Sequence, residues 1–376
     1  MDRLDRLRRV LAAAVTHPVY QKRLKGVDPE RFSLSDLAEL PPTSREDWLS
    51  YLAENPRAPE GTALVHFTPS PALGWMPEYL SAEDLALQAE GTAAYFRELG
   101  LEGVALVTFG YHVFAGGWLF TEGLIAAGAG VLPHGPGEAE RAAELAERSS
   151  AAGLVTNPSF ALRLAEAGLR ARWMLGAGEP FTSVPGLRER VEAALGVKAF
   201  DVFGTSELGL VAGEGPEQAG LLELPLMAVL EVLDPETLQP VAEGGRGELV
   251  VTALSRTLMP MVRFRTGDLA VYGGRRDGRV LLPHGVIGRV DQMVKVKGVK
   301  LYPSELASVL RAFGVERYRV VVEKKPSGTD AFVLEIVAEE VPEGLAEAVR
   351  TRTGLRPDRV EALSELPEGM LEDRRS

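Results

Sequence analysis

Between residues 103 and 204, apolar runs of strand length alternate with stretches of helical length, and this limits the fold more than any other feature. GVALVTFG (103–110), GVLP (130–133), GLVT (153–156), RWMLGAGE (172–179) and KAFDVFG (198–204) read as strands. VFAGGWLFTEGLIAAG (113–128), the charged 138–148 stretch and VPGLRERVEAALG (184–196) read as helices. Asn157-Pro158 supplies an N-cap and a first-turn proline for another. Strands separated by helices of this length form βαβ units and a parallel sheet. Such sheets bind ligands at the carboxyl ends of their strands, so the loops at 109–112, 178–182 and 203–209 are expected along one edge. Phe114, Trp118 and Phe120 fall in a helix and are expected in the core.

The flanks follow other patterns. Residues 1–60 are expected to be helical, with Leu4, Leu7, Leu11 and Val15 on one face. Thr43-Ser44-Arg45-Glu46 has capping-box spacing ahead of Trp48, Leu49 and Leu52. Residues 221–288 carry short β-type runs between Gly and Pro clusters, as in an antiparallel sheet or distorted barrel. Residues 289–376 read as a small α+β unit whose last strand is DRVEALSEL. A boundary near Gly288-Arg289 divides the chain into 1–288 and 289–376.

Composition removes whole classes of function. Of the 376 residues, 45% are apolar and 25% charged, as in globular proteins rather than disordered chains. With no cysteine, a disulfide framework, a thiolate zinc site, an iron–sulfur cluster and a cysteine nucleophile are excluded. The net charge of −12 leaves no electrostatic footprint for nucleic acid. No apolar stretch reaches membrane-spanning length, and MDRLDRLRRVL is no secretion signal, so a cytoplasmic location is expected. The five histidines lack metal-ligand spacing.

Three strings can carry chemistry. In AFDVFGTSELG (199–209) a strand ends in Phe203, Gly204, Thr205, Ser206 and Glu207. A glycine there admits close backbone approach, Ser206 suits a phosphate oxygen and Glu207 suits Mg²⁺. The alternative is a strand-to-helix turn with a serine cap. In PMVRFRTGDLA (260–270), Asp268 follows a Thr-Gly turn and suits a ribose diol, or else makes an Asx-turn. GRVDQMVKVKGVKLYPSE (288–305) holds Arg289, Asp291 and three lysines, or else is an edge strand blunted by lysine.

Together, in this order and spacing, the strings resemble the adenylate-forming superfamily of acyl-CoA ligases, luciferases and peptide-synthetase adenylation domains. The phenylacetate-CoA ligase type is the nearest likeness. HPVYQKRL (17–24) and LAELPPTSREDW (37–48) are similar to its N-terminal region. FGYHVFAGG (109–117), VTNPSFALRLAEAG (155–168), GAGEPF (176–181), FGTSE (203–207) and RTGDL (265–269) are similar to its core. The resemblance implies a large domain of parallel α/β layers plus a distorted β-barrel, and a small mobile α+β C-terminal domain. It implies that Gly178, Glu179, Pro180 and Phe203 border adenine and that Gly204 belongs to the nucleotide site. Thr205 and Ser206 meet the α-phosphate, Glu207 binds Mg²⁺, and Asp268 with Arg289 takes the ribose. Asp291 becomes the hinge, Phe109, Tyr111, His112 and Gly116 line the acyl pocket, and Gly298 and Lys300 border the CoA tunnel. The implied reaction joins an acyl or aryl carboxylic acid to ATP, giving an acyl-adenylate and pyrophosphate, after which coenzyme A displaces AMP. From charge and apolar run length no nucleic-acid or membrane partner is expected; a homodimer is one possible state, and the sequence does not fix it.

Two features of that family are missing. Its phosphate loop is a Ser/Thr/Gly-rich string ending in Gly-Lys-Pro, whose N–H groups cradle the outer phosphates. Here the segment is HFTPSPALGWMPEYLS (66–81), with Gly74 alone and with Pro69, Pro71 and Pro77, which have no N–H to donate. The family lysine near the C-terminus is replaced by Met370 in LPEGMLEDRRS, and no lysine follows Lys325. Arg374 and Arg375 are the nearest cations in sequence. Both losses fall on adenylation. The expectation is a ligase impaired in its first step, the alternative a non-catalytic AMP- or acyl-adenylate-binding paralogue or a regulatory partner of an intact ligase.

Overall fold

The computed structural model describes residues 1–70, 74–290, 294–297, 299–301, 303, 306–326, 329–367 and 370–375. They form two compact units: Met1–Thr266 with Val271–Gly285, and Gly267–Ala270 with Val286–Ser376.

The larger unit is organised by a nine-stranded sheet. Its parallel half runs in the order Gly130–Pro133, Val104–Val107, Ala151–Thr156, Trp173–Gly176 and Lys198–Thr205. It continues antiparallel through Gly209–Glu214, Leu221–Glu223, Arg279–Leu282 and Arg275–Arg276. Successive side chains leave a strand on opposite faces. Val107, Val155, Leu175 and Val202 therefore meet Phe96, Leu119 and Phe120 of the helices Ala82–Glu98 and Ala115–Ala127. Leu106, Leu154, Met174 and Ala199 meet Ala142, Leu164 and Val191 of the helices Ala139–Arg148, Pro158–Glu166 and Leu187–Leu195. Covering on both faces explains why these strands read as continuous apolar runs. Asn157 caps the helix Pro158–Glu166 as its sequence predicts, accepting from the Phe160 N–H at 2.9 Å.

Three expectations need correction in this unit. The first helix, Arg3–Thr16, buries Leu7, Val10, Leu11 and Ala14, while Leu4 and Val15 are half-buried, so its core stripe is rotated from the expected face. The capping box is Ser44 with Asp47, one position later than expected. Thr43 is instead held extended: its N–H donates to the Arg263 carbonyl at 2.9 Å and its hydroxyl to that of Val262 at 3.0 Å. Of the three aromatics assigned to the core, only Phe120 is buried. Phe114 is the helix N-cap and is 40% exposed, and Trp118, one turn on, is 38% exposed.

Thr62–Ser70 and Gly74–Ser81 form an antiparallel hairpin, with Phe67 opposite Pro77 and His66 opposite Glu78. The described residues of the segment expected to lack a phosphate cradle, 66–70 and 74–81, are thus paired strand. A second sheet pairs Ala228–Leu233 with Arg246–Ala253.

The smaller unit has a four-stranded sheet in the order Arg359–Leu363, Asp330–Val337, Tyr318–Lys324 and Leu371–Asp373. The central pair is antiparallel and the outer strands are parallel to their neighbours. Val320, Val322, Phe332 and Leu334 pack with Leu310 and Val349 of the helices Leu306–Ala312 and Leu345–Thr353. The strand Leu371–Asp373 was not expected: it is three residues long and made by pairing, not by apolar pattern.

Candidate functional site

The parallel strands leave the loops after Val107, Gly176 and Thr205 on one edge, as the alternation predicts. Gly176 pairs with Asp201, so residues 202–205 project past the neighbouring strand. They then turn into the strand Gly209–Glu214, with Thr205 opposite Gly209. The alternative reading of this string, a strand-to-helix turn with a serine cap, is overturned: the turn joins two antiparallel strands. Gly204 makes it possible: a Cβ there would lie 2.4 Å from the Gly209 carbonyl oxygen. Within the turn, the Glu207 carboxylate is 2% exposed and is ion-paired with Arg45, the first residue of the helix Arg45–Glu54. Arg256 is 3% exposed and donates from Nη2 to the Ser206 carbonyl at 2.7 Å.

The hairpin carries buried groups that the sequence reading missed. The Thr68 hydroxyl donates to Glu78 Oε1 at 2.5 Å. Burial, reinforced by the Glu207 charge, pushes the Glu78 carboxyl up to about 8. Burial and the Arg256 charge bring His66 down to about 4. Burial also lowers Arg256, opposed by Glu78, Asp84 and Glu207. Asp84 accepts from the Thr257 N–H and hydroxyl, both at 2.7 Å, which fixes the chain beside Arg256. His66 Nδ1, Glu78 Oε2, Thr205 Oγ, Ser255 Oγ and Arg256 Nε are buried and have no hydrogen-bond partner among the described residues. One signal was available in the sequence: Met76, Glu78 and Leu80 alternate along one strand, and all are buried.

The expected acyl-pocket residues separate into two groups. Phe109 stacks on Phe120 with ring centroids 5.3 Å apart, and Gly116 lies against it, a Cβ there falling 3.3 Å from the Phe109 Cβ. The Tyr111 hydroxyl is 2.8 Å from that of Thr121, and its carbonyl accepts from Trp118 Nε1 at 2.7 Å. His112 is exposed. In the 178–180 loop Gly178 and Pro180 are exposed, and Phe203 is half-buried. Glu179 is engaged structurally, accepting from the Ser159 hydroxyl at 2.7 Å and from its N–H at 3.1 Å.

In the smaller unit Asp268 lies within a strand pairing, opposite Arg289, rather than in an Asx-turn. Arg289 Nη1 donates to Asp268 Oδ1 at 3.1 Å. Gly267 has φ +76°, and a Cβ there would fall 2.8 Å from the Arg289 guanidinium. Asp291, Gly298 and the Lys300 side chain lie outside what the structure describes. The Met370 carbonyl accepts from the Val320 N–H at 2.9 Å. Arg374 pairs with Glu372 at 2.8 Å, and Arg375 pairs with Asp373 at 2.5 Å and Asp330 at 3.2 Å. Both arginines are therefore committed within their own unit.

Mg²⁺ prefers near-octahedral oxygen ligands and keeps several waters. Glu207, buried and occupied by Arg45, does not fit such an ion. Among the described residues no helix is long and apolar enough to cross a membrane.

No family model matches the chain. It is 30% identical over 391 residues to a phenylacetate-coenzyme A ligase of Thermus thermophilus, a match spanning 94% of this chain and 86% of the relative. It is 28% identical over 319 residues to that of Escherichia coli K12, spanning 79% and 72%. An open-conformation crystal structure of 2-hydroxyisobutyryl-CoA ligase with 2-HIB-AMP and CoA matches at TM-score 0.81 and 24% identity, covering 99% of this chain and 90% of that one. The same ligase in the postadenylation state with R3-HIB-AMP matches at 0.78 and 25%, covering 99% and 88%. The mixed α/β fold expected from the sequence is the fold of these ligases.

Proposed function

Because the chain belongs to the phenylacetate-CoA ligase family, we propose that it binds AMP and acyl- or aryl-adenylates, transfers the acyl group to coenzyme A, and adenylates free acids poorly. The observation that carries this reading is the contrast between two segments. The 203–207 turn keeps its glycine, hydroxyls and carboxylate, whereas the hairpin Thr62–Ser70 with Gly74–Ser81 stands where a phosphate cradle is expected.

In this reading Gly178, Pro180 and Phe203 border adenine, and Glu179 holds the loop to Ser159. Thr205 and Ser206 meet the α-phosphate. Asp268 accepts the ribose hydroxyls, oriented by Arg289. Phe109, Tyr111 and Gly116 line the acyl pocket with His112 at its rim, Asp291 acts as hinge, and Gly298 and Lys300 border the CoA path. The Gly288-Arg289 division separates a stationary 1–288 domain from a mobile 289–376 domain. A cytoplasmic homodimer accords with this reading.

The chemistry needs little from the missing parts. In the second half-reaction the thiolate of coenzyme A attacks the acyl carbon of the adenylate. The carbon–sulfur bond forms, the carbon–oxygen bond to phosphate breaks, and AMP leaves with the electron pair. Neither a pyrophosphate cradle nor the family lysine touches those atoms. The test is CoA-dependent AMP release from synthetic aryl- and acyl-adenylates, measured beside the full reaction from acid, ATP and CoA. Thioester formation is expected to exceed net synthesis by at least the roughly 10²–10³ attached to one lost preorganised charge. Equal rates overturn the impairment. AMP binding with no turnover in either assay assigns the chain to the non-catalytic alternative.

A further inference from the structure

Building on the adenylate-binding reading, we infer that Arg256 and Arg45 take the place of a divalent cation beside Glu207. The single charge of a bound adenylate is then met by guanidinium and hydroxyl donors without metal. Glu207 has its buried carboxylate on the Arg45 guanidinium, so its charge already has a partner. Arg256, buried, spends Nη2 on the Ser206 carbonyl and keeps a buried Nε–H without a partner among the described residues. The Thr205 hydroxyl, one residue away along the turn, is likewise buried and without one. Two unmatched donors therefore flank one residue, and buried donors left unpaired are costly. The several oxygens of a phosphate group offer acceptors to both.

Arg45 pairs with Glu207, and Arg256 lies in the field of Glu78, Asp84 and Glu207, so Arg256 meets a phosphate as a directed donor rather than as an excess positive charge. A guanidinium stays charged and matches phosphate oxygens in shape, so it supplies this without a hydrated ion. A triphosphate carries several charges more, which this arrangement does not balance.

The experiment uses the full chain. AMP, adenosine and a non-hydrolysable acyl-sulfamoyl adenosine are titrated calorimetrically, once with EDTA and once with excess Mg²⁺. Mn²⁺ binding is followed in parallel by electron paramagnetic resonance. The expected result is the same AMP affinity with and without metal, and a free-ion Mn²⁺ spectrum. Arg256→Met is expected to weaken AMP about tenfold or more while leaving adenosine, which has no phosphate, unchanged. That control separates loss of the anion contact from misfolding. Arg45→Met is expected to release Glu207 and produce bound Mn²⁺. AMP binding about tenfold tighter with Mg²⁺ overturns the inference and leaves the adenylate reading intact. If AMP and adenosine bind under neither condition, the adenylate reading fails and the inference falls with it.

Discussion

His66 and Glu78 are direct cross-strand partners, each 2% exposed, and burial drives both toward their neutral forms. The Glu78 carboxyl, raised to about 8, binds its proton more tightly in the folded chain than in the unfolded one. Its contribution to stability is complete below the ordinary carboxylate range and is lost as pH rises through about 8. Glu78→Gln, neutral at every pH, is expected to melt near the parent at pH ~4 and increasingly above it as pH rises to ~9, by the linkage of burial to protonation. Thermal melts at the two pH values check this. An equal effect at both removes the buried-acid reading.

The acid side has the opposite sign. His66 and His17 are both lowered to about 4, chiefly by burial, so the unfolded chain binds more protons than the folded one between about 4 and the ordinary histidine value. Their contribution is complete above about 6.5 and is lost as pH falls toward about 4. Removing both imidazoles, as His17→Gln with His66→Gln, is expected to flatten the fall in melting temperature across that window. An unchanged slope assigns acid sensitivity to other groups.

Asp268 tests the ribose assignment. Its carboxylate is held by Arg289 at 3.1 Å within one strand pairing. A hydrogen bond from a ribose hydroxyl to a carboxylate so held contributes about 1.5–3 kcal/mol. Asp268→Ala is expected to weaken AMP by that amount, read by calorimetry. Adenine, which lacks the ribose, is expected to bind the variant and parent alike. Unchanged AMP affinity in a folded variant reduces the motif to a structural pairing.

ATP is expected to gain little over AMP. The outer phosphates would meet a strand hairpin whose Pro77 lacks an N–H and whose inner face carries Glu78. Calorimetry should place ATP within about tenfold of AMP, or ~1.4 kcal/mol. A larger advantage for ATP would falsify the view that no group cradles its outer phosphates.

The parallel half of the large sheet was legible because burial on both faces turns each strand into an apolar run. Leu154 and Val155 serve opposite faces, and both must be apolar. The loop edge followed from that, but the strand-to-strand character of the 203–207 turn did not, because the strand Gly209–Glu214 breaks the alternation with helices. The hairpin was not legible: its prolines argue against regular pairing, yet the register runs from Leu64–Leu80 to Ser70–Gly74. Nor was the buried charge cluster, because positions 45, 66, 78, 207 and 256 converge only in the folded chain. Trp118 misled for a different reason. An aromatic in an apolar helix reads as core, but its indole N–H is used by the Tyr111 carbonyl at the surface.

The last prediction concerns repair of adenylation. Met370 precedes the edge strand Leu371–Asp373, and its carbonyl is fixed by the Val320 N–H, so its backbone position is set by sheet pairing. Met370→Lys can therefore be accommodated without disturbing that pairing. The nearby Arg374 and Arg375 are held by Glu372, Asp373 and Asp330 and do not supply the missing charge. A single preorganised charge accounts for roughly 10²–10³ in rate where the rest of the machinery is in place. In the proposed reading the cradle is lost as well, and groups that act as a unit do not contribute additively. Met370→Lys alone is thus expected to raise pyrophosphate exchange by less than about tenfold, while CoA-dependent AMP release from a supplied adenylate stays at the parent rate. Replacing 66–81 with a Ser/Thr/Gly-rich loop ending in Gly-Lys-Pro, in the Met370→Lys background, is expected to recover more than the sum of the separate changes. Recovery of the whole roughly 10²–10³ by Met370→Lys alone would show that the hairpin serves the outer phosphates as it stands, and that the lysine was the only deficit.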